Sequence, residues 1–491
     1  MPASEGLHEA PRREGHAPPG RLARVFGPIR LAYLPILVTY FAYGASGITA
    51  IALLFFEKET LGLTPAEVAG IMFWVGLPWS MKMVAGVASD RYPILGHRRL
   101  PYLILGAVCS LVGYGLLATV ISRKGAFLAA LVLVTVGFMV QDVIADALSV
   151  EVARNDEEVA QIQTLGRMAL LTGTISVGYL SGVLAKALGP RPVFALAMIL
   201  PVLVVVAALF LRREPRELPP AALEAGPLGH GRARLIMGVG LAYAALGVGL
   251  ESLAVPYAQE IVLAVSCVLI VLLIQKMGMT RPVAVAAFVI FLFRSTPAVG
   301  QGYSYWAIDS LGFDQQFLGL LAQVSSVVSL LGLIAFRRII TERPVSFTLT
   351  WVVVAGTVLY LPNIGLFYGL HDWLGVSART LAFVDTTISA PLGQLAMVPM
   401  LVLIAKTAPR GAEATMFAVM ASLMNLALSA SELFTRYLND IFQVTQQDYS
   451  SLGRLMIVVA VIGLVPLLTV PLLRREEVHL GPVPVPERAP A

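Results

Sequence analysis

Asp142 and Asp146, in the stretch QDVIADALSVEVAR, lie four residues apart within a long apolar run, so a helix places both on one face. An ionisable side chain at membrane depth costs at least about 2.5–3.5 kcal/mol, so each one must be paired or put to use. The next apolar run carries Gln163 and Arg167 and returns antiparallel, which brings Arg167 near the depth of the aspartates. The expected arrangement is an Asp142/Asp146–Arg167 pairing, acting either as a tie between helices or as a switch linked to a proton or a bound anion. Arg294 is a second informative charge, in FLFRSTPAVGQGYSYW, with Pro297, Gly300 and Gly302 close behind it. That composition predicts a broken helix, and a cation beside freed backbone groups at the midplane is a natural anion site. Its structural alternative is a partner for a carboxylate on another helix, Asp385. Flat-ring recognition has candidates in Tyr303, Tyr305 and Trp306, and in Tyr40 and Tyr43 of the first run.

These residues need apolar helices to hold them, and the composition supplies them. The 491 residues are 57% hydrophobic and 13% charged, against roughly 25% charged in a soluble domain. Mean hydropathy is +0.80. Continuous apolar runs of about twenty residues or more exclude a membrane β-barrel, whose strands alternate over about ten. The fold class expected is an all-α polytopic membrane protein of twelve to fourteen spans.

Fourteen candidate spans fall in a pattern of six, two and six. The boundaries read as a cytoplasmic tail (1–29), a six-helix bundle (30–211), a cytoplasmic linker (212–234), an extra helix pair (235–276), a second six-helix bundle (281–475) and a second tail (476–491). Two of the expected spans, about 282–306 and 379–405, carry internal Pro and Gly; the second holds Asp385, Pro391, Gly393 and Pro399. Arginines gather in one set of loops, including Arg91, Arg98, Arg99, Arg212, Arg213, Arg232 and Arg234, which predicts both termini in the cytoplasm of a multi-pass protein of the inner cell membrane. Two blocks of six around a basic loop are what a duplicated transporter predicts. The net charge of +5 follows from this topology and calls for no nucleic acid.

Between the second and third runs stands a charged turn, ASDRYPILGHRRLPY, with Gly86 and Lys82 just before it. Asp90, Arg91, Gly96, Arg98 and Arg99, together with Glu151 and Arg154 at the end of the fourth run and Glu413 and Arg410 in the second block, are the expected cytoplasmic gate. Such a lattice would form in one state and break in the other. Lys82 reads as a snorkelling cation and Glu432 as a solvated carboxylate near the outer end of its helix. No phosphate-binding loop, HExxH or Cys/His cluster occurs, so no enzyme, cofactor or metal is expected. Cys109 and Cys267 read as small packing residues. Transport driven by an ion gradient is the reading left, with protons the coupling ion on account of the buried carboxylates.

Gly86-x-x-Ser89-Asp90-Arg91 followed by Gly96-x-Arg98-Arg99 resembles the loop signature of the major facilitator superfamily. More narrowly, stretches 77–103, 141–154, 310–319 and 397–426 resemble the folate–biopterin transporter family. The resemblance does not cover 212–275. It implies a monomeric permease for a folate- or pterin-like organic anion, and Arg294, Tyr40, Tyr43, Gln163, Tyr303, Tyr305 and Asp385 are the candidates from depth and chemistry to line its site. Fourteen spans with a central pair also resemble the muropeptide permeases. Light-harvesting assembly proteins share the Gly-x-Arg-Arg-x-Pro-Tyr turn, and their resemblance implies a pigment-complex assembly factor that does not transport.

Overall fold

Thr64 shows how this chain starts its helices. Its hydroxyl accepts the Glu67 N–H at 3.2 Å, and the Glu67 carboxylate accepts the Thr64 N–H at 3.0 Å, so two otherwise orphaned donors are satisfied before Pro65 opens the helix. Asn155 and Asp314 cap later helices by accepting from Glu158 and Phe317, at 2.8 and 3.0 Å. The computed structural model describes residues 30–119, 121–209, 230–276, 279–336, 343–393, 395, 397–407 and 413–480.

The first six helices are α1 (Leu31–Thr60), α2 (Pro65–Arg91), α3 (Leu100–Thr119), α4 (Lys124–Val152), α5 (Asp156–Leu188) and α6 (Pro190–Ala208). Next come α7 (His230–Ser252) and α8 (Ala258–Lys276). The chain then forms α9 (Arg281–Arg294), α10 (Gln301–Leu311), α11 (Gln315–Ala335), α12 (Val345–Phe367), α13 (Ala378–Gly393), α14 (Met397–Thr407), α15 (Glu413–Phe442) and α16 (Leu452–Glu476). Among the described residues, twelve helices are long and apolar enough to cross a membrane. The remaining two of the fourteen expected positions are held by the tandem pairs α9–α10 and α13–α14. The first pair breaks at Ser295–Gly300, where Pro297 cannot donate and Gly300 turns with φ +65°. The other breaks after Gly393, two residues past Pro391.

Lipid tails are as apolar as leucine, so close backbone approach and interhelical hydrogen bonds, rather than hydrophobic contrast, hold such helices together. Helices α3 and α4 meet through Gly106, Ser110 and Gly137; a Cβ on Gly137 would stand 2.2 Å from Ser110 Oγ. Gln141 is fully buried there and donates to Ser110 Oγ at 3.2 Å and to the Gly137 carbonyl at 3.0 Å, which fixes the rotation of α4. Helices α1 and α5 close on each other equally tightly, Gly44 against the Leu170 carbonyl and Gly173 against that of Phe41. The extra pair α7–α8 packs on both α2 and α15, with Tyr243 Oη 2.6 Å from Ser266 Oγ between its own helices. An apolar cavity of about 280 Å³ lies where the pair meets α2 and α15.

Candidate functional site

The rotation of α4 decides what its aspartates meet. Pro78 and a non-helical Met81 (φ −103°, ψ 14°) interrupt α2 just before Lys82, whose Nζ then reaches Asp142 Oδ2 at 2.5 Å and lies 4.8 Å over the Trp79 ring. One turn on, Asp146 Oδ1 accepts from the Tyr40 hydroxyl and, at 3.4 Å, from Gln163 Nε2. Gln163 also donates to Ser149 Oγ at 2.7 Å. Tyr43 packs its ring at 5.3 Å from Trp79 and 5.8 Å from Phe138. Tyr40, Tyr43, Lys82, Asp142, Asp146 and Gln163 thus form one cluster on four helices.

The expected Asp142–Arg167 pairing is replaced by Asp142–Lys82. Gly166 faces the Tyr40 ring so closely that a Cβ there would sit 2.7 Å from Tyr40 Cδ2. The next residue on a helix points about 100° away from that contact. Arg167 accordingly has an exposed side chain with no ion pair among the described residues, while its charge still acts on Asp142, Tyr40 and Tyr43. The cluster is therefore a paired Lys–Asp with a spare guanidinium beside it and aromatic rings as its floor. That combination can take an anionic, ring-bearing molecule.

The residues expected from the second block do not join this cluster. Arg294 ends α9 and donates from Nε to the Met424 carbonyl of α15 at 3.1 Å. It lines a separate cavity of about 500 Å³ among α9, α12, α14, α15 and α16, shared with Tyr360, Ser431 and Pro466. Asp385 does not pair with it; its Oδ2 accepts from Asn363 Nδ2 at 2.7 Å. Tyr303 stacks on Trp306, which stacks on Phe367. Tyr305 is fully buried at the far end of the bundle. Depth in the membrane was legible for these residues; the direction each faces was not.

At the end where the first and last described residues lie, Arg99 is the centre of the charged turn. Its Nη2 lies 2.6 Å from Asp90 Oδ1 and 2.6 Å from Glu151 Oε1, and Nη1 donates to Ser89 Oγ at 2.6 Å. Arg98 reaches Glu151 at 3.5 Å. Gly96, at φ +80°, makes the turn that aims both arginines back at α4; Gly86 faces Val143, where a Cβ would fit at an ordinary 3.8 Å. Arg91 makes interactions of its own, and the Arg154 side chain is exposed. The pairs of Arg98 and Arg99 tie α2, the turn and α4 within the first six helices. Glu413 opens α15; its side chain and Arg410, the expected members of the gate in the second block, lie outside the described residues. Arg99→Ala leaves Ser89 without its donor and Glu151 with only the longer Arg98 contact, and is expected to cost about 1–3 kcal/mol, read as a lower thermal midpoint in detergent. Arg99→Lys recovers only part of it, because an ammonium lacks the fork that spans Asp90, Ser89 and Glu151.

The opposite, far end is where the two blocks are joined. Lys58 Nζ lies 2.7 Å from Asp309 Oδ1, and Tyr449 donates to Asp309 Oδ2 at 2.6 Å. Gln446 Nε2 donates to the Lys58 and Leu63 carbonyls at 3.1 and 2.9 Å. Lys186 Nζ meets Asp314 Oδ2 at 2.6 Å. Helices α5 and α11 cross almost without side chains, since a Cβ on Gly182 would stand 2.2 Å from the Gln315 carbonyl and 2.9 Å from Gly319 Cα. None of these ties could be found from the sequence.

Asp314, between spans, has a shifted acidity. The Lys186 hydrogen bond, then the Phe317 N–H and the nearby charges of Lys186 and Arg379, hold its carboxyl below the usual range despite partial desolvation. A carboxyl lowered on folding contributes fully above its unfolded value and loses that contribution as pH falls through the lowered one. The stability difference between wild type and Asp314→Asn is therefore expected to stay flat from about pH 8 to 5 and to shrink only below about pH 4, measured by thermal unfolding across pH.

The comparisons with known proteins agree with this architecture. A folate-biopterin transporter of Synechocystis is 29% identical over 440 residues, 88% of this chain and 80% of that protein. Folate transporter 1 of Plasmodium falciparum is 22% identical over 434 residues, 86% of this chain and 76% of its own. Among solved structures, a POT family transporter in complex with a thioalcohol-conjugated peptide superposes with TM-score 0.66 at 15% identity, covering 93% of this chain and 96% of that one. The nucleoside transporter NupG does so at 0.63 and 10% identity, covering 90% and 100%. At such identities the likeness shows the fold, which is that of the major facilitator transporters. The relatives are transporters of small molecules and not enzymes, and this chain is likewise a multi-pass transporter. Residues 44–480 match the model of the BT1 family, and the chain belongs to that family.

Proposed function

We propose that the protein is a secondary active transporter of a folate- or pterin-class organic anion, coupled to protons and working by alternating access. The observation that carries this reading is Arg167, exposed and with no ion pair among the described residues, beside the Lys82–Asp142 pair, whose Lys82 lies over the Trp79 ring that packs on Tyr43. A carboxylate tail takes Arg167 and competes with Asp142 for Lys82. Asp142, once released, has lost its counter-charge in a dry setting and takes a proton, so anion and proton load together. Asp146 and Gln163 hold Tyr40 in place, and the flat ring of the cargo lies on the aromatic floor. Arg294 and Asp385 tie helices together in the second block, and Tyr303 and Tyr305 pack it.

The ion pairs joining the two blocks, Lys58–Asp309 and Lys186–Asp314, sit at the far end. The Arg99 network stays within the first block. This favours a conformation open toward the end with the Arg99 turn, which the arginine-rich loops assign to the cytoplasm of the inner cell membrane. The folate transporters among the relatives support the cargo class. Titration calorimetry with folate in two buffers of different ionisation enthalpy tests the coupling. The expected result is uptake of about one proton per folate bound at neutral pH, lost in Asp142→Asn. Binding with no proton uptake contradicts it.

A further inference from the structure

The extra helix pair leaves an opening toward the bilayer. The cavity of about 280 Å³ is walled by α7 and α8 on one side and by α2 and α15 on the other. Leu235, Val239 and Leu272 in its wall are 61%, 41% and 48% exposed, so it opens sideways to lipid. From Ser266 to Lys276 the α8 wall spans about 15 Å, half of the roughly 30 Å hydrocarbon core. That is the depth of one leaflet.

Lys276 ends α8 at the mouth, and Arg234 stands near the start of α7 at the same end. Both side chains are exposed, and neither has an ion pair among the described residues. The floor has no such offer. Ser266 donates to the Val262 carbonyl at 2.6 Å, so Tyr243 donates to Ser266, and Ser422 donates to the Ala418 carbonyl at 3.1 Å. Those hydroxyls are spent inside the protein. A positive mouth over an apolar shaft one leaflet deep matches an anionic lipid, its headgroup outside and one chain within.

The same cavity backs onto the break in α2. Ser80, Met81, Met83 and Val84 line it, while Lys82 between them reaches Asp142 of α4. Two three-residue turns hold the break, from the Met81 N–H to the Pro78 carbonyl and from the Val84 N–H to the Met81 carbonyl, both at 2.9 Å. Such bonds have poorer geometry than those of an α-helix, and Ser80 Oγ beside them has no hydrogen-bond partner. A void behind this segment would deprive it of packing on one side.

We propose that the cavity binds one acyl chain of an anionic phospholipid, with the phosphate at Lys276, and that the bound chain braces the α2 break behind Lys82. The lipid comes from the leaflet at the end with the Arg99 turn. The site needs neither cargo nor proton, so it stands or falls apart from the transport reading.

The test uses full-length protein in detergent, with phosphatidylglycerol and phosphatidylcholine of identical chains as probes. Native mass spectrometry counts the bound lipid. Wild type is expected to retain phosphatidylglycerol about fivefold better, the worth of one lysine against an anionic lipid. Lys276→Gln is expected to lose most of that preference while still binding both lipids. Val239→Trp, which puts an indole into the cavity, is expected to lose one adduct of either. Hydrogen exchange over residues 78–85 is expected to slow severalfold with phosphatidylglycerol in wild type and not in Val239→Trp. The Lys276 side chain is exposed, so its variant is read even where Val239→Trp folds poorly. Equal retention of the two lipids by wild type, an unchanged preference in Lys276→Gln, or exchange over 78–85 that phosphatidylglycerol does not slow overturns the proposal.

Discussion

Arg167→Ala is expected to weaken folate binding by about 10- to 100-fold while leaving the thermal midpoint of the empty protein nearly unchanged. A hydrogen bond to a charged partner is worth about 1.5–3 kcal/mol, which is that range in affinity. The side chain is exposed and makes no ion pair among the described residues, so the cost should appear in binding and not in folding. Arg167→Lys is expected to restore part of the affinity, because the charge returns without the fork. Equal affinity for a neutral pterin in wild type and Arg167→Ala would place the lost contact at the carboxylate. By contrast Lys82→Ala should lower both binding and stability, since it strips Asp142 of its counter-ion. Equilibrium binding of folate and a neutral pterin to the three proteins checks the set.

The second large effect is steric. Gly182→Leu puts a branched side chain where even a Cβ would meet the Gln315 carbonyl at 2.2 Å. Backbone atoms on both sides leave it nowhere to go, so α5 and α11 cannot cross in the closed arrangement. The variant is expected to sit with its far end open and to lose transport essentially completely. Folate binding within the first block should survive. Labelling of far-end cysteines by a membrane-impermeant maleimide, faster in the variant than in wild type, checks the conformation. Wild-type transport by Gly182→Leu would show that the crossing is not part of the cycle.

The sequence was most informative where the chemistry is local. Pro297 with Gly300, and Pro391 with Gly393, announced the two broken helices because a missing donor, and at Gly300 a positive φ, act on their own segment. Asp142 and Asp146 could be placed on one face by their spacing. Their partners could not, because which way α2 presents Lys82 depends on a break at Met81 and on how Gln141 locks α4 against α3. Arg167 was found but misassigned for the same reason: depth follows from counting residues, direction follows from packing. Glu57 is 1% exposed although it stands in a charged run, FEKET, at the end of α1; the π-helical turn there, Phe56–Thr60, has no signature in residue types. Arg294 had the chemistry of an anion site; its Nε reaches the Met424 carbonyl and it lines a cavity apart from the Lys82–Asp142 cluster.

Uptake of labelled folate into proteoliposomes carrying an imposed pH gradient tests the central claim most directly. The account predicts accumulation that follows the gradient, collapses when a protonophore removes it, and disappears in Arg167→Ala and Asp142→Asn. No gradient-dependent uptake of any folate or pterin by folded protein would contradict it, and would favour the assembly-factor reading of the same fold.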